Sequence, residues 1–127
     1  MRIGNWAAWW VLCCVWLAPA TAWAGPDEAQ VFVAKGAEAF KAAQFWEAAV
    51  AFEKAAQLDP SEPKNLRYAG RAWQEVGHLR KALVLLEAYL KIEPDAALKA
   101  SAEEKIAPLR KLTPQQHVEA LSAALAK

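Results

Sequence analysis

Shifted by 34 positions, the chain aligns with itself. Residues 29–60 fall on 63–94, pairing Gly36 with Gly70, Ala48 with Ala82, Val50 with Val84, Glu53 with Glu87 and Pro60 with Pro94. Conservative pairs fill the gaps: Phe32/Leu66, Phe45/Leu79, Phe52/Leu86, Leu58/Ile92 and Asp59/Glu93. The matches sit on small residues, helix ends and apolar positions, where packing needs them. A period of this length belongs to arrays in which one small unit stacks on the next, because a single unit cannot bury its own apolar face.

Within each copy the apolar residues recur at helical spacing. Phe32, Gly36, Ala39 and Phe40 predict one helix, and Phe45, Ala48, Phe52, Ala55 and Ala56 a second. The next copy repeats this with Leu66, Ala69, Gly70 and Trp73, then Leu79, Ala82, Leu83, Leu86 and Leu90. A mid-helix glycine costs about 1 kcal/mol against alanine. Gly36 and Ala48 are therefore expected where two antiparallel helices cross closely. Pro60 and Pro94 end the second helix of each copy at the preceding residue. Gly77, followed by His78, suits a tight turn between helices.

Taken together, these residues resemble two tetratricopeptide repeats, at about 29–62 and 63–96. The motif positions are Phe32, Gly36, Phe45, Ala48, Phe52, Ala55 and Pro60, then Leu66, Gly70, Trp73, Gly77, Leu79, Ala82, Leu86 and Pro94. The resemblance implies an all-α fold, a short right-handed superhelix of antiparallel hairpins. Tyr89 departs from the pattern, standing where the first copy has Ala55. Its ring is expected to push the next helix outward or to fill space beside Ala100 or Ala107. Residues 96–107 read as a helix interrupted by Pro108, and Thr113-Pro114 as the start of a last helix carrying Val118, Leu121 and Leu125. Residues 97–127 are thus expected to form a degenerate third hairpin that caps the array.

The first 24 residues have a different character. Arg2 precedes a stretch from Ile3 to Ala24 without a charge, with five of the seven Trp and both Cys, 13 and 14. Pro19 and the Ala22-Trp23-Ala24 ending point to a signal peptide cleaved before Gly25, leaving 25–127 as one helical-repeat domain exported to the periplasm or the cell exterior. The alternative is an uncleaved anchor, which would hold the domain on the periplasmic side of a membrane; a lipidated cysteine lacks the small residues expected before it. After cleavage no cysteine remains, so neither disulfide nor thiol chemistry follows export.

Residues 25–127 carry a formal net charge of zero, which argues against a nucleic-acid partner. Chemistry-bearing motifs are sparse. His78 and His117 have no companion at metal-ligand spacing. Glu103 and Glu104 are adjacent and diverge on a helix, and Ser61, Ser101 and Ser122 have no nearby base. No enzyme, cofactor or metal is expected.

Charge is nevertheless segregated. Residues 25–62 hold seven acids and three bases, whereas 63–94 hold three acids and six bases. Lys64, Arg67 and Arg71, with Tyr68 beside them, share one helix face, distinct from that of Leu66, Ala69, Gly70 and Trp73. Arg71 has Glu75 within reach at i+4, whereas Lys64 and Arg67 have no acid three or four residues away. The plainer reading is a solvated face whose cations meet acids of the first repeat. In the family resembled, the first helix of each hairpin lines a groove that receives a peptide. By that resemblance Lys64, Arg67, Tyr68 and Arg71 would face the groove with Gln30, Val33, Ala37, Phe40 and Lys41, and would hold an acidic segment or a chain-terminal carboxylate. Trp46, at a helix start beside Phe45, is either an interface anchor or packed on the flank of the preceding helix. The expected function is a non-catalytic protein- or peptide-binding module. The alternative is a structural or assembly component of a cell-envelope complex, self-associating or tethered by its N-terminus.

Overall fold

A computed structural model describes residues 25–127 of the 127-residue chain. The signal-peptide reading of residues 1–24 lies outside the described residues. Six helices follow in order: α1 (Pro26–Lys41), α2 (Phe45–Leu58), α3 (Pro63–Val76), α4 (Leu79–Ile92), α5 (Ala96–Arg110) and α6 (Pro114–Leu125). Among the described residues there is no strand, and no helix is long and apolar enough to cross a membrane. Each helix from α1 to α4 packs on the next in the chain, an all-α array of helical hairpins. Helices α5 and α6 do not pack on each other as the expected third hairpin, because α6 turns back onto α3 and α4.

The two repeat glycines mark the close crossings. A Cβ on Gly36 would lie 2.7 Å from the Phe52 ring, and one on Gly70 would lie 2.6 Å from Leu86 Cγ. Phe52 and Leu86 are themselves 34 residues apart, so the same ridge-into-notch contact is built twice. Small residues then let the helices interlock: Ala48, Ala49, Ala69, Ala72 and Ala82 are fully buried around Phe52 and Trp73. A second cluster, Leu86 with Ile106 and Leu109, joins α4 to α5. Burying apolar area at roughly 25 cal/mol per Å² holds such an array together without disulfides.

Glu53 and Glu87, identical by the repeat, tie each hairpin to the next. Glu53 accepts from the buried Trp73 indole N–H at 3.0 Å and pairs with Lys81 at 2.8 Å. Glu87 pairs with Arg110 of α5 at 3.1 Å. Asn65, almost fully buried, donates to the Ala55 carbonyl at 3.4 Å and anchors the start of α3 on α2.

The hairpin turns also repeat. At the end of α3, Gly77 has φ +85°, its N–H bonds to the Gln74 carbonyl, and the His78 N–H bonds to Trp73. At the end of α1 the same pair of bonds runs from Ala43 to Phe40 and from Gln44 to Ala39. Ala43 adopts φ +60° there, a left-handed residue without the glycine that usually takes it. His78 caps α4 through Nδ1, which accepts from the Lys81 N–H at 3.4 Å, and sets its ring edge-on to Trp73.

Helices α2 and α4 end at Leu58 and Ile92, one residue before the expected positions, with Asp59 out of the helical region and Glu93 extended ahead of proline. Pro108 does not interrupt α5, contrary to the sequence expectation; the helix runs on to Arg110. Leu109 is buried in the second cluster and Arg110 bonds both Glu103 and Glu87, which holds the last turn despite the missing N–H. Thr113 opens α6 as expected, in a capping box with Gln116. This last helix turns back onto α3 and α4, where Ala124 and Ala120 lie against Gly77. The cap is therefore loose: α6 has no buried residue, and Val118 and Leu125 are 67% and 68% exposed.

Candidate functional site

Two adjoining cavities flank α3. One, about 330 Å³, lies between α1 and α3 and is lined by Val33, Ala37, Phe40, Lys41, Phe52, Tyr68 and Arg71. The other, about 280 Å³, lies between α3 and α5 and is lined by Arg67, Tyr68, Arg71, Gln74, Leu86, Tyr89, Leu98, Ser101, Ala102 and Lys105. Tyr68 and Arg71 line both. Helices α1 and α3 are the first helices of the two packed hairpins and α5 follows along the array, so the cavities between α1 and α3 and between α3 and α5 adjoin in one grooved surface.

Of the residues singled out in the sequence, Phe40, Lys41, Tyr68 and Arg71 come together in the first cavity, with Val33 and Ala37. Arg67 joins Tyr68 and Arg71 in the second. Lys64 lines neither; it sits at the start of α3, 3.8 Å from Glu62. Gln30 is exposed and lines neither. Ion pairing does not absorb the arginines: among the described residues, no acid lies within 4.0 Å of Arg67 or Arg71. Arg71 reaches across to α1 instead, its guanidinium 5.4 Å from the Phe40 ring centre, and leaves Glu75 unpaired. Arg67 stands 5.4 Å from the ring of Tyr68. Two ion pairs link the first repeat to the second, Lys64 with Glu62 at the start of α3 and Glu53 with Lys81 away from this surface.

No Asp or Glu lines either cavity, although residues 25–127 balance acids and bases. With Lys41, Arg67, Arg71 and Lys105 around it, the groove is a cationic surface with apolar walls. Such a surface can hold carboxylates by charge-assisted hydrogen bonds and apolar side chains by burial.

Comparison with protein-family models, with curated proteins and with solved structures gives no match.

Sequence reasoning missed Lys105, Ser101 and Gln74, which carry no repeat signal on this face. It did single out Tyr89, for its size. The ring is 1% exposed and lies beside Ala102 and Ser101 in the cavity wall, whereas Ala100 is exposed. The phenol hydroxyl is buried without a hydrogen-bond partner. Burial pushes its pKa up, the nearby Glu93 carboxylate adds to the rise, and Arg67 opposes it. The Glu93 carboxylate is thus the acceptor closest to this phenol, with Arg67 on the opposing side.

Trp46 is 50% exposed, with its other half covered by Trp73 of the following hairpin, edge-to-face at 5.0 Å and 84°. It also borders a shallow apolar depression on the opposite side of the first hairpin, with Phe32, Ala39 and Val50. Trp46 thus stacks on α3 of the following hairpin, where the packing expectation had it on the preceding helix, and half of it stays exposed. Among the described residues no group of three His, Cys, Asp or Glu is placed to hold a metal ion.

Proposed function

We propose that residues 25–127 form a short tetratricopeptide-like array that is exported and binds a protein or peptide segment without catalysing a reaction. The observation that carries this reading is the groove on α1, α3 and α5, lined by cations and apolar side chains and by no acid. Arg67 and Arg71 stand over Tyr68 and Phe40 with no acid within 4.0 Å, free to make charge-assisted hydrogen bonds to an arriving anionic group. Two to three repeats suit a short segment rather than a large partner.

The test is a pull-down from envelope extract with the full chain as bait, beside an Arg67→Glu/Arg71→Glu version that keeps wild-type helicity and melting. A partner captured by wild type and lost from the reversed protein supports the groove. Capture of the same partner by both refutes it.

A second reading rests on α6, whose exposed Val118 and Leu125 leave an apolar edge at the end of the array. In that reading copies of the chain, or a larger envelope assembly, stack on α6. Light scattering across a concentration series decides it: mass rising with concentration in wild type and not in Val118→Asp/Leu125→Asp supports stacking, and a constant monomer mass ends it.

A further inference from the structure

We propose that the outer face of α1, with the adjoining side of α2, pairs with the same face of a second copy of the chain across a twofold axis. This surface is separate from the groove and from α6.

The repeat marks this face as unfinished. On α3, Asn65, Ala69, Ala72 and Trp73 are buried because α2 covers them. Asn65 donates to the Ala55 carbonyl, the Trp73 indole donates to Glu53, and Ala69 and Ala72 pack with Ala48, Ala49 and Phe52. Counted back by 34, the same positions on α1 are Val31, Lys35, Glu38 and Ala39. Among the described residues no helix lies over them, and Val31 is 51% exposed. At the other end, Ile106 and Leu109 of α5 cover α4. The end of such an array needs a polar outer face if water is to cover it. This one has an apolar centre: Phe32, Ala39, Trp46, Val50 and Ala51 line a depression of about 580 Å³, with Trp46 and Val50 each 50% exposed.

Charge names the occupant. Lys35, Lys54 and Glu47 border the depression, and Glu38 stands beside Ala39 on α1. All four are exposed, and among the described residues none has an opposite charge within 4.0 Å. Helices α1 and α2 run antiparallel through the turn at Ala42–Gln44, so Glu38 and Glu47 lie toward the turn and Lys35 and Lys54 away from it. The patch is therefore acidic at one end and basic at the other. A twofold axis through its centre reverses one copy on the other and sets the lysines of each over the glutamates of its partner. A partner of a single charge sign would meet like charge at one end. An apolar centre with a Trp anchor and a charged rim is also how specific protein interfaces are built.

The test is sedimentation equilibrium over a concentration series, using protein purified from the cells that make it, with its N-terminus fixed by intact mass. Wild type should dimerise. Lys35→Glu/Lys54→Glu and Glu38→Lys/Glu47→Lys, each at wild-type helicity, should weaken the dimer at least about tenfold, because like charges then face each other. Mixing the two reversed proteins should restore a dimer containing one of each. Val50→Asp should dissociate the wild-type dimer, and Val118→Asp/Leu125→Asp should leave it intact. A monomer at every concentration overturns the proposal, as does a dimer indifferent to both charge reversals or a mixture that stays monomeric. A dimer lost with the α6 substitutions and kept with Val50→Asp overturns it in favour of stacking on α6. A dimer formed only by protein that retains residues 1–24 also overturns it, because that segment then makes the contact.

Discussion

Ala43 and Gly77 occupy the same position in successive turns, both with positive φ, and a reciprocal exchange between them has predictable signs. The left-handed conformation costs an alanine about 1–2 kcal/mol relative to glycine. Glycine gives back about 0.4–1 kcal/mol through the larger entropy of its unfolded chain. Ala43 is exposed, so Ala43→Gly loses little packing and should stabilise the protein by about 0.5–1 kcal/mol. Gly77→Ala carries the same term with reversed sign, and its Cβ would also lie 2.5 Å from Ala124 Cβ and 3.0 Å from the Ala120 carbonyl. Adding about 1–2 kcal/mol for that overlap brings the loss to about 1.5–3 kcal/mol. Urea denaturation followed by circular dichroism reads both, and for a domain this size 1 kcal/mol moves the thermal midpoint by about 4–8 °C. Native-state hydrogen exchange adds a local signature: α6 should lose protection in Gly77→Ala before α1–α5 do. A destabilised Ala43→Gly, or a Gly77→Ala as stable as wild type, would refute the account of both turns.

Other substitutions follow from the same contacts. Gly70→Ala should destabilise by about 1–2 kcal/mol despite the better helix propensity of alanine, since its Cβ meets the buried Leu86, and denaturant midpoints check this. Glu53→Leu, which strips the acceptor from the buried Trp73 indole, should cost about 2 kcal/mol, whereas Glu53→Gln, which keeps an acceptor, should cost under about 1 kcal/mol. Because the Tyr89 pKa is raised on folding, the unfolded chain gives up the proton first. Its contribution is therefore whole below pH 10.0, the ordinary value, and falls away as pH rises through the folded value. Thermal melts at rising alkaline pH should show wild type losing more stability than Tyr89→Phe.

Much of the fold was legible because the repeat is written in residues whose packing role is chemical. Glycines 36 and 70 sit where bulky side chains 16 positions later press on them, and prolines 60 and 94 stop helices in either context. The turn at Gly77 was legible and its counterpart was not, because Ala43 adopts a glycine's conformation without announcing it. Pro108 misled for a related reason. Local propensity argued for a break, and the buried Leu109 and the bonds of Arg110 to Glu103 and Glu87 outweighed it. The basic face on α3 could be read from 3- and 4-residue spacing. What opposes it could not: Lys105 and Ser101 reach the cleft only through the placement of α5, a tertiary fact outside the repeat.

Site-specific photo-cross-linking in the living cell bears most directly on the central claim, that the surface of α1, α3 and α5 receives a partner. A photoactivatable residue replaces Ala37, in the wall of the α1–α3 cavity, or Val84, 61% exposed on α4 and outside both cavities. The account predicts a discrete adduct from position 37 that disappears in the Arg67→Glu/Arg71→Glu background, and none from position 84. Adducts from position 84 alone, or adducts at 37 indifferent to the arginines, would contradict it.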